Sequence, residues 1–314
     1  MQAADRTFQS LNSGKANFDA IYALSDPREY FRVLCGLDYV IPDLARNIFR
    51  VLIARRAAAL GRRVRVLDAG CSYGINAALV RFPLDIQRLA ARYADPRMHA
   101  LPSDKIVALD GHYFRSWPEE VDADFIGLDS SEPAVSYASQ VGLIAGGVTT
   151  DLERIAPVPA EVEHLRGIDL IASTGCVGYV SEKTFQRVLS LQRRGEIPWV
   201  ANFVLRMFPY DTIARALEGF GLVTEKLEGV TFVQRRFHSE EEFESTLAAL
   251  KARGIDHKGK EAEGLYHAEL FVSRPAEEAR RLPLSGLVSV TSGESRRYGR
   301  RYRRIAPRQV KLMR

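Results

Sequence analysis

The sequence predicts a doubly wound, mostly parallel α/β sheet. Two observations predict it. Short apolar runs alternate with amphipathic stretches along most of the 314 residues, and four of those runs end in Asp68, Asp129, Asp151 and Thr174, beside small residues. Strands that alternate with helices bury both faces of a sheet. Right-handed crossovers then bring the carboxyl ends of the parallel strands to one edge, where ligands bind.

The elements follow in order. Residues 1–15 are polar and predict a loose start. Asp26-Pro27 is a helix start, with Asp26 as N-cap and Pro27 in the first helical position. Leu44, Ile48, Val51, Leu52 and Leu60 recur at helical spacing over 42–60. Val64-Arg-Val-Leu67 is a buried strand meeting a tight turn at Asp68-Ala69-Gly70, and a helix is expected over 75–94. Residues 95–124, rich in Pro, Gly, His and aromatics, read as an irregular insertion or lid.

The alternation then resumes: strands over 125–128, 144–149, 168–173 and 199–207, with helices over 132–141, 181–194 and 211–219. Two closing strands, 231–237 and 266–273, flank a helix over 239–253, where Ser239 and Glu242 stand at capping-box spacing. This divides the chain into an N-terminal helical cap (1–60), an α/β domain (61–275, with the insertion at about 95–124) and a basic C-terminal tail (276–314).

Composition narrows the function classes. The hydrophobic share is 46%, enough for a sizeable core. No apolar run approaches the length of a membrane span, and no h-region marks the start as a signal peptide, so a cytoplasmic protein without membrane contact is expected. Cys35, Cys71 and Cys176 make neither a disulfide framework nor a metal pair. The six histidines form no HxxxH or HExxH pair, so no metal site is expected. The net charge of +5 is uneven: from Pro275 onward the tail carries +8, which leaves −3 on the rest. Arg296, Arg297, Arg300, Arg301, Arg303 and Arg304, interleaved with Tyr298 and Tyr302, suit phosphates and bases. A solvated terminus is the simpler reading, so nucleic acid is a secondary partner for this chain.

At the predicted edge, the first loop reads Asp68-Ala-Gly70-Cys71-Ser72-Tyr-Gly74. Its small residues let a ligand approach the backbone, and the following helix offers free N–H groups. A dinucleotide fingerprint would need a third glycine where Ile75 stands, and no phosphate-binding GK[ST] follows a strand. Asp129, followed by Ser130 and Ser131, is placed to accept from ribose hydroxyls. Asp151 can accept from an adenine amine while Leu152 packs on the ring. Thr174-Gly-Cys176 would lie beside the reactive end of the ligand.

In order, VRVLDAGCSYG, FIGLDSSEPAVSYA, TTDL and GIDLIASTG resemble the successive motifs of the class I S-adenosylmethionine-dependent methyltransferases, over about 64–273 without the insertion. The resemblance implies a seven-stranded sheet with one antiparallel strand, and S-adenosyl-L-methionine as cofactor. It matches Asp68, Gly70, Ser72 and Gly74 to the methionine loop, Asp129 to the ribose acid, Asp151 and Leu152 to the adenine pair, and Thr174 to the position after strand four. Cys71 and Ser130 accompany them. Ser72 departs from the commoner glycine and narrows the loop.

The expected activity is methyl transfer to an O, N or C atom of a small molecule, under the N-terminal helices and the insertion. If a general base exists, His112, His267 and Tyr179 are the candidates, and Tyr22 and Tyr30 are candidates for the pocket wall. Two readings compete. One is a methyltransferase acting on RNA or protein through the tail, although strand four lacks the Asn/Asp-Pro-Pro-Tyr/Phe motif for planar amines. The other is a non-catalytic binding module on the same fold.

Overall fold

The structure is a computed structural model. It describes residues 8, 11, 12, 14–193 and 195–290, together with the backbone course of 297–298, 302–306 and 309–312. Three helices open the chain: α1 (Asp19–Tyr22), α2 (Arg28–Gly36) and α3 (Ile41–Leu60). The Asp26 carboxylate accepts from the Arg28 amide at 3.1 Å, but the N-cap is Pro27 and α2 begins at Arg28, one residue later than the sequence predicts. Gly61, left-handed at φ 64°, ends α3.

The sheet begins with β1 (Val64–Ala69). After it come α4 (Ile75–Arg81), α5 (Ile86–Tyr93), α6 (Pro96–His99), α7 (Ser103–Arg115), β2 (Ala123–Leu128), α8 (Glu132–Gln140) and β3 (Gly146–Val148). The chain continues through α9 (Pro159–Leu165), β4 (Leu170–Thr174), α10 (Glu182–Ser190), β5 (Trp199–Leu205), α11 (Asp211–Glu218), β6 (Leu222–Lys226), β7 (Thr231–Arg236), α12 (Glu240–Ala252) and β8 (Leu265–Pro275). Two short helices, α13 (Ala276–Arg281) and α14 (Leu284–Leu287), follow β8.

Strand order is β3-β2-β1-β4-β5-β8-β7, with β6 also on β8. The first five are parallel, and β8 runs antiparallel to β5, β6 and β7. β6 pairs with 271–275 and β7 with 265–268, so the two are one edge lane interrupted at 227–230. Through residue 275 the sheet therefore has seven lanes with one antiparallel member. The backbone of 297–298 continues it beyond β7. All seven residues of β5 are buried, as a strand covered on both faces requires.

Three details differ from the sequence reading. The helix expected over 75–94 is two helices, because Pro83 holds Phe82 extended (φ −119°, ψ 159°) and ends α4. The β6 segment was not anticipated; its sequence, Leu-Val-Thr-Glu-Lys, is short and only Leu222 is buried. The 95–124 insertion is largely helical and does not reach the sheet edge. Asp110 on α7 is fully buried and accepts from Arg92, Tyr93 and Tyr137, which fastens α7 to α5 and α8. Arg28 donates to the carbonyls of Met98, His99 and Leu101. The insertion thus buttresses the helical layer. The expected lid role falls to the N-terminal segment alone.

Candidate active site

Four parallel strands deliver their carboxyl ends to one edge, and the loops that leave them enclose a cavity of about 410 Å³. That volume lies within the range of small-molecule sites. The β1 loop supplies Gly70, Cys71, Ser72 and Asn76 to its wall, the β2 loop Asp129 to Ser131, the β3 loop Thr150 to Glu153, and the β4 loop Thr174 to Cys176 with Tyr179. The opposite side comes from Lys15, Phe18, Tyr22, Tyr30 and Tyr39 of the N-terminal segment and from Gln234 and Arg235 of β7.

The β1 loop is held open by backbone conformation. Gly70 is left-handed at φ 74°, and a Cβ there would stand 2.6 Å from the Cβ of Cys176. Only glycine brings the β1 and β4 loops this close. Ser72 is also left-handed, at φ 50°, and its amide donates to Asp129 Oδ2 at 2.9 Å. The Ser131 amide donates to Asp129 Oδ1 at 3.0 Å. Both carboxylate oxygens therefore hold one backbone N–H each and keep further lone pairs for a ligand. Burial lifts Asp129 above the ordinary carboxylate range, against the pull of those two amides.

Asp68 is fully buried beneath the loop. Its Oδ1 accepts from Asn76 Nδ2 at 2.9 Å, and its Oδ2 has no partner among the described residues. Burial, with Asp129 nearby adding to it, pushes its pKa up to about 7, while the Asn76 bond works the other way. Asn76 also donates to Thr174 Oγ1 at 3.1 Å, so one amide ties the ends of β1 and β4 together.

Two glutamates set the remaining loops. Glu161 accepts from the Thr149 and Thr150 amides at 2.8 and 3.0 Å and so fixes the course of the chain after β3. Glu153 accepts from the amide and hydroxyl of Ser181 and from the amide of Thr184, joining this loop to the start of α10. Asp151 turns back to accept from the Glu153 amide and pairs with Arg154 at 3.2 Å.

The N-terminal segment is pinned across the opening. Tyr73 Oη donates to the carbonyls of Ile21 and Leu24 at 2.7 and 2.8 Å, and Ser131 Oγ to that of Tyr22 at 2.6 Å. The Ala16 amide donates to Glu242 Oε1 at 2.9 Å. Residues 37–40 run beside β7, with backbone bonds Val40 N–H to Gln234 O and Arg236 N–H to Leu37 O. Arg235 is buried and bidentate on Glu242, at 2.9 and 2.6 Å.

Of the residues singled out from the sequence, Gly70, Cys71, Ser72, Asp129, Ser130, Asp151, Leu152, Thr174 and Tyr179 meet in the wall of this cavity. Asp68 lies under its floor rather than in its wall. Gly74 packs against Ala138 and Leu143. His112 and His267 are not brought to the cavity. His112 is exposed near the end of α7, on the insertion that buttresses rather than covers. His267 is buried in β8, its Nδ1 3.0 Å from the Thr231 hydroxyl. Tyr179 is 57% exposed at the rim. Tyr22 and Tyr30 line the cavity. No cluster that could hold a metal ion occurs among the described residues. No described helix is long and apolar enough to cross a membrane. Arg296, Arg300 and Arg301 of the tail lie outside the described residues.

Sequence reasoning missed Lys15, Phe18, Tyr39, Gln234 and Arg235. A lysine in a polar stretch and an arginine in an alternating strand carry no local signal of a cavity. Their meeting depends on contacts more than 200 residues apart in the chain, such as that of Ala16 with Glu242.

No family model and no curated protein matches the chain. Among solved structures it is similar to the plantazolicin methyltransferase BpumL in complex with SAH, at 13% identity over 86% of this chain and 96% of that one, with a TM-score of 0.38. It is similar also to a TehB-like SAM-dependent methyltransferase from Corynebacterium glutamicum, at 17% identity over 69% and 85%, TM-score 0.33. A third is precorrin-6y C5,15-methyltransferase from Geobacter metallireducens, at 10% identity over 70% and 87%, TM-score 0.34. The strand order, with one antiparallel strand set between β5 and the edge lane, is the mostly parallel, doubly wound arrangement expected from the sequence.

Proposed function

We propose that this chain is an S-adenosylmethionine-dependent methyltransferase acting on a small-molecule acceptor. One observation carries the reading. A buried carboxylate whose Oδ2 has no partner among the described residues, Asp68, lies under a glycine turn that any side chain would obstruct, beside a second carboxylate, Asp129, that accepts from two backbone amides. That set fits a ligand with a cationic end and a diol.

In this reading Gly70, Cys71 and Ser72 present backbone to the amino-acid end of the cofactor, and Asp68 supplies negative charge beneath them. Asp129 accepts from the ribose hydroxyls, with Ser130 beside it. Asp151 and Leu152 hold the adenine, and Thr174 borders the reacting end. When bound, the cofactor supplies a methyl group already activated on a sulfonium. The residues of the chain therefore align the acceptor and exclude water. Of the three bases nominated from sequence, Tyr179 alone lines the cavity, and it is the candidate base only for an acceptor that must lose a proton; His112 and His267 lie away from the cavity.

Calorimetric titration with S-adenosylhomocysteine tests the reading. Saturable binding is expected for the wild type, with no competition from NADH. Gly70→Val should abolish binding while the circular dichroism spectrum is kept. A wild-type protein that binds no S-adenosylhomocysteine overturns the proposal.

A further inference from the structure

The two sides of the cavity carry opposite charge. Asp129, Asp151 and Glu153 line the cavity at the ends of β2 and β3, with Asp68 buried beneath, whereas Lys15 and Arg235 line it from the N-terminal segment and β7. Arg235 is neutralised by its bidentate partner Glu242, whose oxygens also take the Ala16 and His238 amides. Lys15 forms no ion pair among the described residues. Its Nζ lies over the Tyr179 ring, 4.5 Å from the centroid, and 5.5 Å from that of Phe208. Phe18, Tyr22, Tyr30, Tyr39 and Tyr179 make much of the same cavity aromatic, with Phe18 covered by the Arg235 guanidinium at 5.1 Å.

Resting on the cofactor reading above, we propose that the methyl acceptor is an aromatic carboxylic acid whose carboxylate pairs with Lys15. The position suits transfer. Lys15 and Cys176 line the same cavity, and Cys176 packs against Gly70, where the β1 and β4 loops meet. A cationic amine acceptor would face the Lys15 ammonium here, which complementary recognition avoids. Burial, and then the nearby Arg235, push the Lys15 ammonium down to about 7, and a bound anion opposes both effects. In the transfer, a carboxylate oxygen attacks the methyl carbon of the sulfonium donor. The oxygen–carbon bond forms, the sulfur–carbon bond breaks with its electron pair left on sulfur, and no proton has to leave.

The test uses the full chain saturated with S-adenosylhomocysteine and titrated with naphthoate, naphthamide and naphthylmethylamine. Naphthoate is expected to bind at least tenfold more tightly than the amide, and the amine weakest of all. Lys15→Met and Lys15→Gln should each weaken naphthoate at least tenfold and leave naphthamide unchanged. S-adenosylhomocysteine affinity, measured on the same variants, should match the wild type. The proposal is overturned if the amide or amine binds as well as the carboxylate, or if naphthoate does not bind the saturated wild type. It is overturned also if both variants keep naphthoate affinity, or if both lose S-adenosylhomocysteine. Wild-type protein that fails to bind S-adenosylhomocysteine instead removes the cofactor reading on which this one stands.

Discussion

The acidic and basic walls of the cavity are made in different ways. Each acid of the first wall ends or follows a parallel strand, so its place is set by a short stretch of local sequence and by the direction of that strand. The second wall joins residues 15, 18 and 39 to residues 234, 235 and 242, none of which shares an element with the first group. One wall is thus a property of strand ends, and the other a property of how the N-terminal segment docks on β7 and α12. The first wall should respond to substitution through cofactor affinity, and the Arg235–Glu242 fastening of the second through stability.

The largest effect is expected where the second wall is fastened. Glu242→Ala leaves Arg235 buried without its counter-ion and frees the Ala16 amide. Breaking one side of a buried pair costs about 3–5 kcal/mol. Urea denaturation should show that loss, and limited proteolysis should cut the chain near residue 16. A loss under about 1 kcal/mol, the scale of an exposed pair, would mean that the pair does not hold the wall.

The next effect belongs to the first wall. Asp129→Ala removes the acceptor for two ribose hydroxyls. At about 1.5 kcal/mol or more for each hydrogen bond to a charged group, S-adenosylhomocysteine affinity should fall about 100-fold by calorimetry. Unchanged affinity would place the diol elsewhere.

A smaller effect sharpens the role of Asp68. Its folded pKa of about 7 lies above the ordinary aspartate value near 4. The folded protein therefore keeps a proton that the unfolded chain releases. Through this group, stability falls as pH rises from about 4 to about 7 and is level above that. A ligand cation prefers the ionised form, so S-adenosylhomocysteine affinity should climb by about tenfold from pH 6 to pH 8. In Asp68→Asn both trends attributable to this carboxyl should vanish. A variant that retains the wild-type affinity profile would remove Asp68 from the binding field. The smallest effect is that of His112→Ala, an exposed site on the buttressing insertion, where stability and ligand affinity should stay within about 0.5 kcal/mol of the wild type.

Legibility follows the same division. Asp129, Asp151 and Thr174 were readable because an apolar run followed by an acid or a small residue marks a strand end in an α/β chain. The split of the 75–94 helix was also written in the sequence, at Pro83. The helical character of 96–115 was obscured by its Gly, His and aromatic content. Its anchor, Asp110, reads locally as an ordinary acid and becomes a core residue only through Arg92, Tyr93 and Tyr137. His112 and His267 were nominated on residue type, which says nothing about which face of an element meets the cavity.

By itself the sequence determined the alternation of parallel strands and helices outside the 95–124 insertion, the parallel edge and the strand-end residues that stand at it. Hydrophobic periodicity and turn chemistry act over a few residues and are read directly along the chain. Only the tertiary structure decided which segment covers that edge, that Asp68 lies beneath the cavity with a carboxylate oxygen unpartnered among the described residues, and that Lys15 faces Tyr179. These outcomes come from burial and charge pairing between distant segments, whose energies depend on three-dimensional neighbours and not on neighbours in sequence.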